Sequence, residues 1–188
     1  MSTRDSIVDA ACTAVASSGL DRLTVAQVAK AARVSTALVH YHFATKRQLL
    51  VAVAAALARR RADSRSAALS GAQGLAGLDA LWTSLGAGVE RSAPDLAMLG
   101  RRDHEARSAL LAERRREQAR IAAALPRFLA GLGARPAIAA EDLAAAVCTF
   151  ADGVAAALTA GVPSSDVRAS YDAFWLALVA LGQPASAR

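Results

Sequence analysis

Alanine dominates this chain, and much of it stands in unbroken runs. Fifty of the 188 residues are alanine, with triplets at 54–56 and 144–146. Alanine has the highest helix propensity of all residues. β-Branched and aromatic residues nowhere alternate with polar ones over the length of a strand, which is the pattern of a half-buried sheet. The sequence therefore predicts an all-α fold.

The overall composition is that of a folded protein with a core of its own. Hydrophobic residues make up 54% of the chain and charged residues 20%, which excludes a disordered polyelectrolyte. A chain of this length buries about 70% of its unfolded surface, so it needs neither a metal ion nor a disulfide for stability. The two cysteines, Cys12 and Cys148, lie in separate apolar stretches. We expect buried free thiols in a reducing compartment, and hence a cytoplasmic protein.

No segment has the pattern of an export signal or a membrane span. Charged residues interrupt the first 20 positions, where a signal peptide needs an apolar stretch. The longest late candidate, residues 143–165, is broken by Asp152 and Pro163. We therefore expect no membrane partner.

Positive charge is concentrated in the first third of the chain. Residues 1–63 hold nine basic and four acidic side chains, whereas residues 64–188 hold 13 and 12. Such an asymmetry indicates that the first third meets a polyanion. A solvated arginine-rich helical surface would give the same charge, so the residue pattern has to decide.

Four helices are predicted in this basic third, separated by turn and cap residues. The first covers residues 3–18 and ends at Gly19. Thr24 and Gln27 have the spacing of a capping box, which begins a second helix ending near residue 32. Ser35 is the next N-cap, and its helix runs to about His42. A fourth helix begins after Thr45, and residues 59–61 are expected to end it.

The third helix has an outward side made of small, polar and aromatic residues. Leu38 and Val39 take the inward positions, so four others face solvent: Thr36, Ala37, His40 and Tyr41. Short side chains near the N-terminus of a helix let it approach base edges in the major groove of DNA. Lys46 lies in the first turn of the fourth helix, where free N–H groups and the helix dipole already favour a phosphate.

These residues carry a family resemblance. Residues 24–50, TVAQVAKAARVSTALVHYHFATKRQLL, resemble the DNA-binding domain of the tetracycline-repressor (TetR) family, and the likeness covers about residues 5–60. The resemblance implies a helix-turn-helix domain over residues 1–62 and an effector-binding and dimerisation domain over 63–188. The expected DNA-binding residues are Thr24, Arg33, Ser35, Thr36, Ala37, His40, Tyr41 and Lys46.

Two positions depart from the family pattern. Arg33 stands where the family usually has glycine in the turn, so this residue either adopts a positive φ at a cost of about 1 kcal/mol or the turn avoids that conformation. His40 occupies the position of the family's common phosphate-contacting tyrosine, and Tyr41 follows it. We expect Tyr41 to take over part of that role.

The last two helices, predicted at 141–160 and 166–181, are apolar on nearly every side. A helix of this kind needs cover on more than one side, which favours packing against a second subunit. The resemblance also implies a homodimer, although an ordinary monomeric core would give the same stripes. The expected interface residues are Leu143, Val147, Val154, Leu158, Val167, Phe174, Leu178 and Leu181.

Large side chains scattered among alanines in the second part of the chain can leave an apolar cavity. Members of the family usually bind a small effector there, and the sequence does not identify this one. The expected lining residues are Trp82, Met98, His104, Phe128, Phe150, Asp152 and Trp175. Each of them is also an ordinary candidate for the core or the surface.

Catalysis, cofactors and metals have no support in the sequence. No GxSxG, P-loop, HExxH or GxGxxG motif occurs. His40 and His42 are two positions apart and point to opposite sides of a helix, which opposes a metal site. We therefore predict a DNA-binding transcriptional regulator that is not an enzyme, most simply a homodimeric repressor released from its operator by a small molecule. The alternatives are an activator without effector, and a ligand-binding or enzymatic bundle with a vestigial DNA-binding head.

Overall fold

The computed structural model describes residues 2–72 and 74–184. Within them lie nine α-helices and one short antiparallel pair of two-residue strands. The helices are α1 (Thr3–Ser18), α2 (Val25–Ala32), α3 (Thr36–His42), α4 (Lys46–Gly71), α5 (Gly74–Leu85), α6 (Ala93–Arg102), α7 (His104–Ala130), α8 (Ala140–Thr159) and α9 (Ser164–Leu181). A 3-10 helix covers Gly88–Ser92, and the strands are β1 (Ala134–Arg135) and β2 (Gln183–Pro184). The predicted all-α class is confirmed.

The chain folds into two compact units that do not divide it at a single point. The first unit comprises the residues up to 61 together with 91–114, and the second comprises 62–90 and the residues from 115 on. The first unit therefore includes α6 and the beginning of α7 in addition to the predicted helix-turn-helix segment. A division at residue 62 alone does not describe this arrangement.

The core of the first unit is made by the inward sides of α1–α4. Ile7, Val28, Val39 and Val53 are buried there, and Leu96 of α6 joins them. α6 is also held by a polar contact, because the Leu20 N–H donates to Asp95 Oδ2 at 2.8 Å. Side chains 70 or more positions apart in the chain thus complete one core.

The core of the second unit contains an aromatic cluster. Trp82, Phe128, Phe150, Tyr171, Phe174 and Trp175 contact one another, with ring centroids 3.8–6.3 Å apart. Tyr171 is anchored further, since its hydroxyl donates to the Leu78 carbonyl at 2.7 Å. Aromatic side chains bury the largest area per residue, and they compensate here for the small alanines around them.

The predicted end of α4 at residues 59–61 is wrong. α4 continues to Gly71, and its last turns bury Arg65 and Leu69 in the second unit. The serines and glycine in this stretch favoured a loop, but the buried contacts of Arg65 and Leu69 outweigh their low helix propensity.

Arg65 and Glu90 are the most buried charged residues among those described, each with 1% of its surface exposed. The Arg65 guanidinium forms two bonds of 2.8 Å to Glu90, one of 2.8 Å to Asp152 and one of 3.3 Å to Glu117. Burial alone would lower the pKa of Arg65, and the surrounding carboxylates more than reverse that effect and raise it. This Arg65 cluster joins α4, the 3-10 helix, α7 and α8.

The apolar stripes predicted to meet a second subunit lie mainly in the core of their own unit, which corrects that assignment. Leu143, Val147, Val154 and Val167 are buried, and Leu158, Phe174 and Leu178 are half-buried against the same core. Of the eight residues only Leu181 is exposed. Alanines occupy the other sides of these helices, and alanine is apolar too. The sequence therefore does not show which side of each helix is buried.

Among the described helices, α8 alone is long and apolar enough to cross a membrane by length and composition. A buried core helix passes the same test. α8 contributes seven buried residues to the second unit and carries Asp152 in the Arg65 cluster.

Both cysteines are buried and neither forms a disulfide, as expected. Burial raises the pKa of the Cys12 thiol to about 11, so the reactive thiolate is suppressed at neutral pH.

Candidate DNA-binding surface

Two side-chain caps fix the beginnings of α2 and α3. The Thr24 hydroxyl accepts from the Gln27 N–H at 3.2 Å, and the Thr24 N–H donates to Gln27 Oε1 at 2.9 Å, which completes the predicted capping box. The Ser35 hydroxyl accepts from the Leu38 N–H at 3.1 Å. α3 therefore begins where the sequence predicted it, one residue after Ser35.

The turn between α2 and α3 uses Arg33 in a left-handed conformation. Its φ is 56° and its ψ is 42°, and among the described residues no other non-glycine has a positive φ. The Val34 N–H donates to the Ala29 carbonyl at 3.0 Å, which closes the end of α2. Arg33 therefore adopts the positive φ, which is the strained of the two predicted conformations.

Replacing Arg33 with glycine should therefore raise the free energy of unfolding by about 1 kcal/mol, because glycine adopts this conformation without a Cβ clash. Urea denaturation followed by circular dichroism measures the effect. Arg33→Ala is the matched control, since it removes the charge but keeps the Cβ. Equal stability of the glycine and alanine variants would contradict the strain.

The outward side of α3 is open to solvent along its length. Thr36, Ala37, His40 and Tyr41 are all exposed, and Tyr41 has 83% of its surface accessible. The opposite side is anchored by Val39, which is buried. We call these four exposed side chains the outer face of α3. A short helix held on one side and bare on the other can enter a groove wide enough to admit it.

The two histidines of α3 have different surroundings. His40 is exposed, whereas His42 is half-buried and meets the Tyr41 ring edge-on at 5.2 Å between centroids. Within residues 2–72 and 74–184 no group of three or more His, Cys, Asp or Glu side chains could hold a metal ion.

Lys46 is the first residue of α4 and follows the last residue of α3, His42, by four positions. The preceding Thr45 hydroxyl accepts from the Gln48 N–H at 3.2 Å and caps this helix. Lys46 is exposed. An ammonium group beside the free N–H groups of a helix N-terminus makes a site for a phosphate.

Several other basic residues of the first third form ion pairs inside the unit. Arg47 pairs with Asp103 and Glu105. Arg59 donates to Glu113 at 3.3 Å, and Arg60 pairs with Asp9. The sequence missed these pairs because the acidic partners lie about 50 or more positions away along the chain. The charge excess of this segment therefore overstates the number of cations directed at a polyanion.

Arg47 and Asp103 form a two-bond pair that links the first turn of α4 to the end of α6. Nη2 of Arg47 donates to Oδ1 of Asp103 at 3.1 Å, and Nε donates to Oδ2. The hydrogen bond from Arg47, with a second from the Ala106 N–H, holds the pKa of Asp103 below its ordinary value. Because the folded pKa is lowered, the pair stabilises the unit at neutral pH and its contribution falls as acid protonates Asp103.

The seven side chains expected around an effector do not all belong to one unit. Met98 and His104 are exposed residues of the first unit. The other five belong to the second unit, where Phe128 and Trp175 are fully buried core residues. Asp152 is held by the Arg65 guanidinium.

The eight expected DNA-binding residues, in contrast, all belong to the first unit. All eight are exposed: Thr24 caps the beginning of α2, and the other seven follow one another along the α2–α3 turn, α3 and the beginning of α4.

The fold and the amino-terminal sequence are both similar to known proteins. Residues 7–53 match the model of the amino-terminal domain of "bacterial regulatory proteins, tetR family". A TetR transcription regulator from Haloarcula marismortui has a TM-score of 0.71 at 18% identity, covering 96% of this chain and 98% of its own. A transcriptional regulator from Rhodococcus sp. has a TM-score of 0.71 at 22% identity, covering 98% and 100%.

A third structure is that of a transcriptional regulator from Saccharomonospora viridis in complex with choline, with a TM-score of 0.65 at 19% identity, covering 91% of this chain and 94% of its own. No curated protein matches the sequence. At these identities the solved structures establish the fold, and the sequence match covers the helix-turn-helix. Residues 7–53 are thus similar to the amino-terminal domain of the TetR family, and the chain as a whole has the fold of these solved transcriptional regulators.

Proposed function

We propose that this protein is a DNA-binding transcriptional repressor that acts as a homodimer and is released from its operator by a small molecule. The observation that carries the proposal is the outer face of α3, four exposed side chains on a capped helix, followed in the chain by the exposed Lys46 at the beginning of α4. Such a helix fits the major groove, about 12 Å wide.

The residues divide into those that position the protein and those that read bases. We assign Lys46 and the exposed Arg33 to phosphate contacts, and such contacts carry no sequence information. Thr36 and Ala37 lie in the first turn of α3, where a helix meets base edges. Tyr41, at the end of the same outer face, can donate its hydroxyl to a phosphate.

The two kinds of contact predict different salt behaviour. Lys46→Ala should weaken binding to every duplex to a similar extent and reduce the slope of log K against log salt by about 1. Tyr41→Ala should weaken binding without changing the slope, because it removes an uncharged donor. Fluorescence anisotropy on a labelled duplex obtained by selection from random sequences, repeated at several salt concentrations, measures both quantities.

Arg115→Ala supplies the control, since Arg115 is exposed on α7 in the other unit. It should leave both affinity and slope unchanged. Unchanged binding by both the Lys46 and the Tyr41 variants would overturn the proposal.

The homodimer is supported by an exposed apolar surface on α8 and α9. On α8 and its C-cap residue Ala160 a line of small exposed residues follows helical spacing: Ala146, Thr149, Gly153, Ala156 and Ala160. On α9, Leu176 and Leu181 are 71% and 78% exposed among further alanines. The half-buried Phe150 and Phe174 stack at 3.8 Å where the two helices meet. Small residues let helices of two subunits approach closely, and leucines supply the area to bury. We call this surface the α8–α9 face.

A dimer would present two outer faces of α3 to successive major grooves, about 34 Å apart. A ligand that prefers a conformation with another spacing would lower DNA affinity by the difference of its two binding energies, typically 1–3 kcal/mol. The choline complex of the Saccharomonospora regulator shows that a protein of this fold holds a small molecule. Repression rather than activation is the simplest use of a regulator released in this way, and DNA binding implies a cytoplasmic location.

The rival function is a ligand-binding or enzymatic bundle with an inactive head. A helix-turn-helix domain that no longer bound DNA would not require two well-formed caps and an exposed outer face of α3. The same duplex selection separates the two, because an inactive head would enrich no sequence.

A further inference from the structure

A groove of about 570 Å³ lies between α4 and α7 in the second unit. Its polar lining residues are Asp63, Ser66 and Ser70 of α4, with Arg120 and Arg127 of α7. Leu69 and Phe128, both buried, form its floor. The volume is within the range of small-molecule sites, which is roughly 300–1,000 Å³.

The groove exists because small residues occupy the positions at which the two helices face each other. Ala67 on α4 and Ala123 and Ala124 on α7 line it, where larger residues would fill it. Its floor is fixed, since a Cβ added to Gly77 would lie 2.5 Å from Phe128 Cε2. The ring of Phe128 is therefore packed directly against the backbone of α5.

Two polar features of the groove point to an anion. Arg120 Nη1 donates to Asp63 Oδ1 at 2.7 Å, which uses one of the five N–H donors of its guanidinium and holds it in place. The Ser66 hydroxyl oxygen is buried at the groove and has no hydrogen-bond partner among the described residues. A buried hydroxyl without a partner is costly, and a ligand acceptor would satisfy it.

We infer that this groove binds a small carboxylic acid with an apolar body. The carboxylate would accept from Arg120 and from Ser66, and the apolar part would lie on Leu69 and Phe128. The inference rests on the proposed function, since it gives the ligand of the second unit a place and a chemical class.

The aromatic cluster is a less suitable site for a cation such as choline. The guanidinium of Arg168 already lies 5.3 Å from the centre of the Trp82 ring and 5.7 Å from that of Tyr171. It also pairs with Asp79 and Asp172, both at 2.8 Å. The position where a quaternary ammonium would be held is thus occupied by the protein's own cation.

The test compares three probes of equal chain length on the full chain without DNA. Isothermal titration calorimetry should show saturable binding of octanoate, and much weaker binding of octan-1-ol and octylammonium. Arg120→Met and Ser66→Ala should each weaken octanoate binding about tenfold or more, because each removes a donor to a charged group. Arg115→Met is the matched control on the same helix and should bind octanoate normally.

Two further measurements separate a lost ligand contact from a damaged fold. Ser66→Ala removes a hydroxyl without a partner, so its melting temperature should equal or exceed that of the wild type while octanoate affinity falls. Ala123→Phe places a ring in the groove at an exposed position, and it should abolish octanoate binding without changing the affinity for the selected duplex.

Binding of octylammonium as tight as that of octanoate, or octanoate affinity unchanged in all three groove variants, would overturn the inference. So would the absence of saturable octanoate binding at millimolar concentration. Each of these results leaves the DNA-binding proposal standing if the duplex is still bound. Loss of all duplex binding with octanoate binding intact would overturn the proposed function instead.

Discussion

Replacing Arg65 with methionine is expected to lower the free energy of unfolding by about 3–5 kcal/mol. The guanidinium contacts carboxylates of Glu90, Glu117 and Asp152, and the first two of these residues are buried. Methionine has a similar length but no charge, so the variant would keep buried carboxylates and lose the cation that compensates them. A loss of this size is a large fraction of the stability of an ordinary domain.

Urea denaturation followed by tryptophan fluorescence measures this effect, because Trp82 and Trp175 are the two tryptophans of the chain and both lie in the second unit. Arg168→Met is the matched control: Arg168 also pairs with two carboxylates, but at the surface, where such pairs contribute about 1 kcal/mol or less. Arg65→Lys should fall between the two, since lysine keeps the charge and loses the two-bond geometry with Glu90. Equal stability of the Arg65→Met and Arg168→Met variants would show that the Arg65 cluster is not a structural centre.

Local signals predicted much of the first unit. The spacing identifies Thr24 and Ser35 as caps and begins the fourth helix after Thr45, and all three residues cap a helix in the structure. A cap depends on residues three positions apart, so a sequence displays it directly. The exposure of Tyr41 also followed locally, because the inward position of Val39 determines which residues of a short helix face outward.

Contacts between distant segments were not predictable in the same way. Nothing near Arg65 in the sequence distinguishes it from the surface arginines at 59–61, and its partners lie 25, 52 and 87 positions away. The packing of Leu96 and Asp95 against the helix-turn-helix was missed for the same reason. Alanine added a separate difficulty, because helices that are small and apolar on every side do not show which side is buried.

A charged substitution on the α8–α9 face should give the largest change in DNA binding. Gly153 lies on this face, and a Cβ added there would meet no atom within 4 Å. Gly153→Glu should therefore leave the subunit folded, since the new side chain has open space and glutamate favours a helix more than glycine does. In the dimer the same carboxylate would be buried between closely packed helices, where an unpaired charge costs several kcal/mol. Light scattering should show a monomer.

Loss of the dimer should also lower affinity for a two-fold symmetric operator by about 100-fold or more, because the second half-site is no longer bound at high effective concentration. Affinity for a single half-site should not change. Gly71→Glu is the matched control: Gly71 is also exposed, and a Cβ there likewise meets nothing within 4 Å, but it ends α4 rather than lying on the α8–α9 face. A dimeric Gly153→Glu variant would exclude this face as the interface, whereas a monomer that keeps full affinity for the two-fold operator would contradict recognition by two coupled subunits.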